Sequence, residues 1–214
     1  DVLHSSPVSS IIFGAGGHIL ASTSEKGLLH WTETSFWKLR TTLGDQKREE
    51  PFSDRVLSLA FHPEGQLLAA GSGVPSRDGS LTLWNIDEGQ IQGVIKAHED
   101  TITGLAFSPD GKRIASSSTD RYIRIHEVGN QEMLAQLEGH TSHVLDVAWS
   151  ADGETIASAG ADHVAKLWTV ATRKQKKTEA GFKKELTTIA FVGTGETIVT
   201  GGGDRLLKAG GQNL

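Results

Sequence analysis

The 214-residue chain contains no cysteine, so it holds no disulfide framework, no thiolate zinc site and no CxxCH haem attachment of its own. It lacks any apolar run near the ~18 residues that a membrane span needs, and its first residues lack the basic-then-apolar order of a secretion signal. These absences predict a soluble chain without membrane insertion, and they leave its compartment open between cytoplasmic and exported. Positive charge is not in excess either. The 21 Lys and Arg against 26 Asp and Glu give a net charge of -5, which argues against a general nucleic-acid binder. No segment sustains a 3.6-residue apolar period over three helical turns. Glycine, in contrast, is abundant: 25 residues, about 12% against a usual ~7%, the mark of many tight turns. Together with the 37% hydrophobic residues it makes about half of the chain apolar, as in an ordinary globular protein large enough to build a core without covalent staples. The composition predicts a turn-rich, all-β protein.

Along the chain one pattern recurs five times. Aromatic anchors stand at Phe13, Phe61, Phe107, Trp149 and Phe191, spaced 48, 46, 42 and 42 residues apart. Four positions after each comes a glycine (Gly17, Gly65, Gly111, Gly153, Gly195), and eight positions after each a small apolar residue (Ala21, Ala69, Ala115, Ala157, Val199). Asp78, Asp120, Asp162 and Asp204 keep the 42-residue step. The two longer spacings are explained by surface-loop insertions at Gly44–Glu50 and Gly73–Ser76, which cost little because loop-closure entropy grows slowly with length. Within the fourth repeat, Val144–Trp149, Thr155–Ala159 and Val164–Trp168 read as strands, and Arg173–Thr178 as a polar outer strand. Ser150–Gly153 and Gly160–His163 are turns. Each repeat is therefore expected to be a four-stranded antiparallel meander, with repeats at about 4–43, 51–95, 96–137, 138–179 and 180–214 and the last one truncated after its third strand. A lone sheet of this kind leaves apolar faces uncovered, so the sheets must stack. Radial stacking, which also limits exposed edges, gives a β-propeller.

The residues resemble the WD-repeat family over nearly the whole chain. The fourth repeat carries Gly139-His140, Ser158, Asp162 and Trp168. The third has His98, Ser116 and Asp120, with His126 in the Trp place; the second keeps Asp78 and Trp84 but has Phe52 and Ala70 in the His and Ser places. The first offers His4, Ser22 and Trp31 with Glu25 for Asp, and the fifth keeps Thr200 and Asp204 with Phe182 for His and Gly210 for Trp. The resemblance implies that these residues form structural hydrogen-bonded sets, in which the Asp orients the His, the His meets the Ser or Thr hydroxyl, and that hydroxyl accepts from the indole N–H. A Ser-His-Asp constellation also suggests a hydrolase, but a catalytic site occurs once, whereas this set recurs in degraded form. A narrower resemblance joins Glu138–Leu145, Ser158–Asp162, Gly181–Glu185 and the Pro75 insertion to WD-repeat regions of planctomycete-type bacterial proteins that also carry a c-type-cytochrome-like domain. It implies an exported protein whose haem part lies outside this chain.

Other chemistry is thin. His140 and His143 have HxxH spacing without a third ligand, so no metal and no cofactor is expected. The run Arg173–Lys177 with Lys183 and Lys184 reads as edge protection on an outer strand. Gly201–Gly203 lacks the GK[ST] ending of a phosphate loop and reads as a turn. The expected function is a non-enzymatic protein–protein interaction scaffold, the alternative an accessory propeller of a larger exported cytochrome-containing redox protein. By the family resemblance its partner-binding top face is built from Ser53, Arg55, Arg77, Glu99, Thr101, Thr119, Thr141, His143, Lys183 and Glu185. Five repeats fall short of the family's usual closed ring. The chain is therefore read as a fragment of a longer propeller, with an unusual five-bladed ring or self-association through open blade faces as the alternatives.

Overall fold

The computed structural model describes residues 6–14, 17–24, 29–33, 38–43, 52, 54–205, 207–209 and 212–213. The described residues are all-β and form twenty strands in five four-stranded antiparallel sheets, each ordered as a simple meander. The first sheet comprises β1 (Val8–Gly14), β2 (Ile19–Ser24), β3 (Leu29–Glu33) and β4 (Lys38–Leu43), and the second β5 (Val56–Phe61), β6 (Leu67–Ser72), β7 (Gly79–Asn85) and β8 (Gln90–His98). The third holds β9 (Ile102–Phe107), β10 (Arg113–Ser118), β11 (Ile123–Glu127) and β12 (Met133–Leu137). The fourth holds β13 (Val144–Trp149), β14 (Thr155–Gly160), β15 (Ala165–Thr169) and β16 (Lys174–Glu179). The fifth holds β17 (Leu186–Phe191), β18 (Ile198–Gly202), β19 (Leu207–Ala209) and β20 (Gln212–Asn213). Two details differ from the sequence reading: β8 runs on to His98, past the expected boundary at 95, and the fifth sheet has a fourth strand, of two residues.

The chain divides into two compact units, Asp1–Ile102 and Thr103–Leu214. In the first, Ala21 of β2, with Ile12 of β1 beside it, packs against Phe52, Val56, Leu59, Leu68, Ala70 and Trp84 of the second sheet. At Gly14 the approach is closer than a side chain allows, since a Cβ there would stand 2.5 Å from the Phe61 ring. In the second unit, Ile123, Ile125 and Leu137 of the third sheet meet Val144, Val147, Trp149, Ile156 and Trp168 of the fourth. On its other side the fourth sheet offers Ala157, Ala159, Ala165 and Leu167 to Phe182, Leu186, Ile189 and Ile198 of the fifth. The fourth sheet is thus apolar on both faces. This explains why β13 and β14 are mostly apolar, with burial on both faces, instead of showing the in–out alternation of a half-solvated sheet. Each fully buried aliphatic side chain here, such as Ile156, contributes about 1.5–3 kcal/mol relative to an exposed one.

Turn chemistry at the β9–β10 and β13–β14 corners is shared. Ser108 and Ser150 donate to Asp110 and Asp152 two residues on, and the amides of Arg113 and Thr155 donate to the same serine oxygens. The serine hydroxyls hold the Asp110 and Asp152 carboxyls below their ordinary range. Gly65, Gly111 and Gly153 take left-handed φ of 80°, 68° and 72°. In the fifth repeat this conformation falls on Gly193 (φ 67°) and not on the expected Gly195, while the closing bond from the Val192 amide to the Thr197 carbonyl keeps the place of the Ser150–Thr155 bond.

The first strands of four sheets slip register at one place, between Val8/Ser10, Val56/Ser58, Val144/Asp146 and Leu186/Thr188. Such an extra residue re-aims its side chain. In the first sheet that residue is Ser9, whose hydroxyl donates to the Val56 carbonyl of the neighbouring β5. Thr103, on the third sheet, donates to the Val144 carbonyl at 2.6 Å in the same manner. Between the fourth and fifth sheets the tie is a carboxylate. Asp146 accepts from the Thr188 hydroxyl and the Ile189 amide, both at 2.9 Å, and burial pushes its carboxyl above the usual range. Thr103→Val keeps the shape and removes the donor, so it should lower unfolding stability by about 1 kcal/mol. The check is the urea midpoint measured at constant m-value.

Candidate interaction face

In the fourth and fifth sheets the loop leading into the first strand and the turn between second and third strands lie at one end of the sheet and are hydrogen-bonded to each other. Ala161 donates its amide to the His143 carbonyl at 2.8 Å, and Gly203 donates to the Glu185 carbonyl at 3.0 Å. In the fourth sheet a chain of side chains lies beneath this end. His140 Nδ1 stands 2.9 and 3.0 Å from the two Asp162 oxygens, and His140 Nε2 is 2.8 Å from Ser158 Oγ. The Trp168 indole donates to the same Oγ at 2.9 Å. Asp162 also accepts from the Thr141 amide at 2.9 Å, so it fixes the loop as well as the ring. A neutral imidazole satisfies every contact, with Nδ1–H donating to the carboxylate and Nε2 accepting from the serine hydroxyl. Burial favours that state, drawing the His140 pKa below its ordinary value although Asp162 pulls the other way. Gly160 leaves the space: a Cβ there would lie 2.1 Å from Asp162 Oδ1 and 2.5 Å from His140 Nδ1. Ser158 is fully buried, and its oxygen lies between an imidazole and an indole, closed to any substrate.

The other sheets hold partial versions. Of the residues expected for the third repeat, His98 is buried at the end of β8 in the first unit; in the third sheet Ser116 and His126 are buried, while Asp120 accepts from the Tyr122 amide at 3.0 Å and pairs with Arg124 at 3.4 Å. In the second, Phe52 and Trp84 stack at a tilt with centroids 6.2 Å apart, and the buried Trp84 N–H has no acceptor among the described residues. Asp78 there accepts from the Val74 amide at 2.8 Å and closes the Pro75 insertion. In the fifth, the buried Thr200 hydroxyl has no partner among the described residues, and Lys208 Nζ lies 4.6 Å from the Phe182 ring centre. Asp204 of that sheet is half-buried and engaged. Ser22 of the first sheet is buried. His4, Glu25 and Gly210 and the Trp31 side chain lie outside the described residues.

Of the residues expected on the loop face, Arg55, Arg77 and Glu99 of the first unit are exposed, with Arg55 4.0 Å from Asp54. Thr101 is a correction. It is buried at 4% exposure, and its hydroxyl turns inward to the Gly73 carbonyl, so it presents nothing to a partner. In the second unit Thr141, His143 and Lys183 are exposed and Thr119 and Glu185 half-buried. Ser53 lies outside the described residues. The basic cluster read as one feature is two. Lys176 and Lys177 pair with Glu196 and Glu179 at the outer edge, whereas Lys183 and Lys184 are exposed on the loop before β17. Sequence reasoning missed Arg121, His163 and Arg205, exposed residues that directly follow the turn Asp at the 42-residue step. All three are left-handed, with φ of 77°, 64° and 62°, at a cost of roughly 1–2 kcal/mol each.

The profile of the WD domain, G-beta repeat family matches residues 44–85, 89–127 and 131–169, more than half of the chain. The chain belongs to the WD-repeat family. Each of the last two matched segments opens at an outer strand and closes after the third strand of the next sheet, so the family's sequence unit is offset from the blade. Similar proteins include the Schizosaccharomyces pombe Periodic tryptophan protein 2 homolog, 31% identical over 146 aligned residues covering 58% of this chain and 16% of that protein. The Oryza sativa Chromatin assembly factor 1 subunit FAS2 homolog is 32% identical over 129, covering 58% and 24%. Bos taurus Pre-mRNA-processing factor 19 is 26% identical over 119, covering 56% and 21%. The chain spans less than a quarter of the length of these relatives, which are eukaryotic.

Asp162→Ala strands the His140 N–H and frees the Thr141 loop, so it should cost about 2 kcal/mol, read as a lower melting temperature. A pH dependence follows from His140. Its folded pKa lies below the unfolded value near 6.5, so the unfolded chain binds the extra proton first, and stability falls as pH drops below about 6.5. In His140→Phe, the residue type found at this place in the second and fifth repeats, that part of the slope should vanish in melting curves taken from pH 7 to pH 5.

Proposed function

We propose that this chain is a non-enzymatic protein–protein interaction module whose blades hold loop residues of the 2–3 turns and leading loops out to a partner. The observation that carries the reading is the closed hydrogen-bond chain of the fourth blade. Asp162, His140, Ser158 and Trp168 spend their polar atoms on one another and on the Thr141 amide, and the loops that they brace carry exposed Thr141 and His143. Groups satisfied in this way stiffen a scaffold and are unavailable for proton or acyl transfer. One of the relatives is named as a chromatin assembly factor subunit, which supports a protein partner for this chain as well. No helix among the described residues is long and apolar enough to cross a membrane.

A second reading rests on the sequence of Glu138–Leu145 and Gly181–Glu185, which resembles WD-repeat regions that accompany a c-type-cytochrome-like domain in planctomycete-type bacteria. On that reading this is the accessory propeller of a larger exported redox protein, and a CxxCH motif in the parent reading frame is the observation that selects it.

The experiment is site-specific photo-crosslinking from Glu99, His143 and Lys183, with Lys174 on the outer strand as control. A protein partner should be captured from the loop positions, and His143→Glu with Lys183→Glu should weaken its affinity at least tenfold without lowering the melting temperature. Equal capture from Lys174, or ester hydrolysis that is lost in Ser158→Ala, overturns the reading.

A further inference from the structure

The loop end of the second compact unit has a charge of its own. At the turn between second and third strands the residue after the Asp is Arg121 in the third sheet, His163 in the fourth and Arg205 in the fifth. All three are exposed, and all three hold left-handed φ, the conformation in which glycine is free and an L side chain is strained. None has a side-chain hydrogen bond or ion pair among the described residues. Lys183 and Lys184 stand exposed on the loop before β17, which the Gly203–Glu185 bond fastens to the Arg205 turn. Of the carboxylates of the same turns, Asp120 is paired with Arg124 and Asp162 is held by His140 and Thr141, while Asp204 is half-buried. A chain with net charge -5 therefore exposes at this end a rim of Arg121, His163, Arg205, Lys183 and Lys184, with the Glu185 side chain half-buried beside Gly203.

We propose that this rim binds an acidic peptide segment of a protein partner, with its carboxylates seated on Arg121 and Arg205, His163 between them, and Lys183 and Lys184 beside Arg205. The inference rests on the interaction-module reading and adds the chemistry of the partner. Guanidinium groups favour carboxylates through paired, charge-assisted hydrogen bonds. One cation per sheet suits the spaced side chains of an extended peptide. A single-stranded nucleic acid would need stacking platforms, and no Phe, Tyr or Trp is exposed among the described residues of this end.

The test is fluorescence anisotropy of a labelled eight-residue peptide of alternating Glu and Gly, titrated with the 214-residue chain at low and physiological salt. Binding should be saturable and weaken with salt. The double variant Arg121→Gly/Arg205→Gly suits the left-handed turns, so it should melt no lower than the parent chain, yet bind at least tenfold more weakly. Lys174→Gln/Lys176→Gln on the outer strand should bind as the parent does. Absence of binding, equal binding by the glycine variant, or tighter binding of a single-stranded oligonucleotide of equal charge overturns the proposal. If His143→Glu/Lys183→Glu weakens the cross-linked partner and Arg121→Gly/Arg205→Gly does not, the acidic-peptide inference fails and the interaction-module reading stands. If neither changes that affinity, both fail.

Discussion

Everything in this molecule depends on a sheet that has two apolar faces and no helix to cover either. A four-stranded meander whose second strand reads Thr155-Ile156-Ala157-Ser158-Ala159-Gly160, buried at every position, cannot exist in water by itself. Its neighbours in the same compact unit supply the cover, and the small Ala157 and Ala159 let the fifth sheet come near. The apolar contact has no direction of its own. Direction comes from the first strands, where Thr103 fastens one sheet to the next through a hydroxyl and Asp146 does so through a carboxylate.

The polar chain under the loop end answers a second need. A turn raised above a sheet loses backbone partners, and a buried N–H or hydroxyl left alone costs about as much as a whole hydrogen bond gains. Asp162 meets that need for the Thr141 amide, and through His140 and Ser158 it reaches the Trp168 indole on the third strand. One carboxylate thereby sets the position of a loop, a turn and two strands. The exposed residues on that loop and turn inherit a fixed geometry that a flexible loop would not give them.

Much of this architecture was legible in the sequence, because a repeat writes the same constraint several times. Strand and turn positions in the fourth repeat came from apolar runs bounded by Gly and Asp, and β13 begins and ends where those runs do. The Gly193 corner was not legible, since a Gly-Thr-Gly stretch offers two residues equally able to take the left-handed turn and only the packing of the corner chooses. Nor was the inward turn of Thr101, which depends on a carbonyl 28 residues away in the Pro75 insertion. Arg121, His163 and Arg205 were visible as letters at a constant step. Their strain was not, because φ is set by the closing bonds of the turn and not by the residue type. The split of the lysine cluster escaped for a similar reason: only five residues lie between Lys177 and Lys183, yet one lies on a strand and the other on the loop beyond it.

The buried indole N–H of Trp84, without an acceptor among the described residues, bears on how such a molecule changes over time. Where the second repeat has Phe52 and Ala70, the polar chain has been dismantled, and the ring that remains still fills its place against an aromatic neighbour. The blade endures because its stability is summed from its own bonds and those with adjacent copies, so the loss of one network is borne locally. Duplicated construction of this kind turns each copy into a separate site of evolutionary drift. A single blade is free to exchange hydrogen bonds for grease, and its loops for new chemistry, while another, as the fourth does here, keeps the full polar chain.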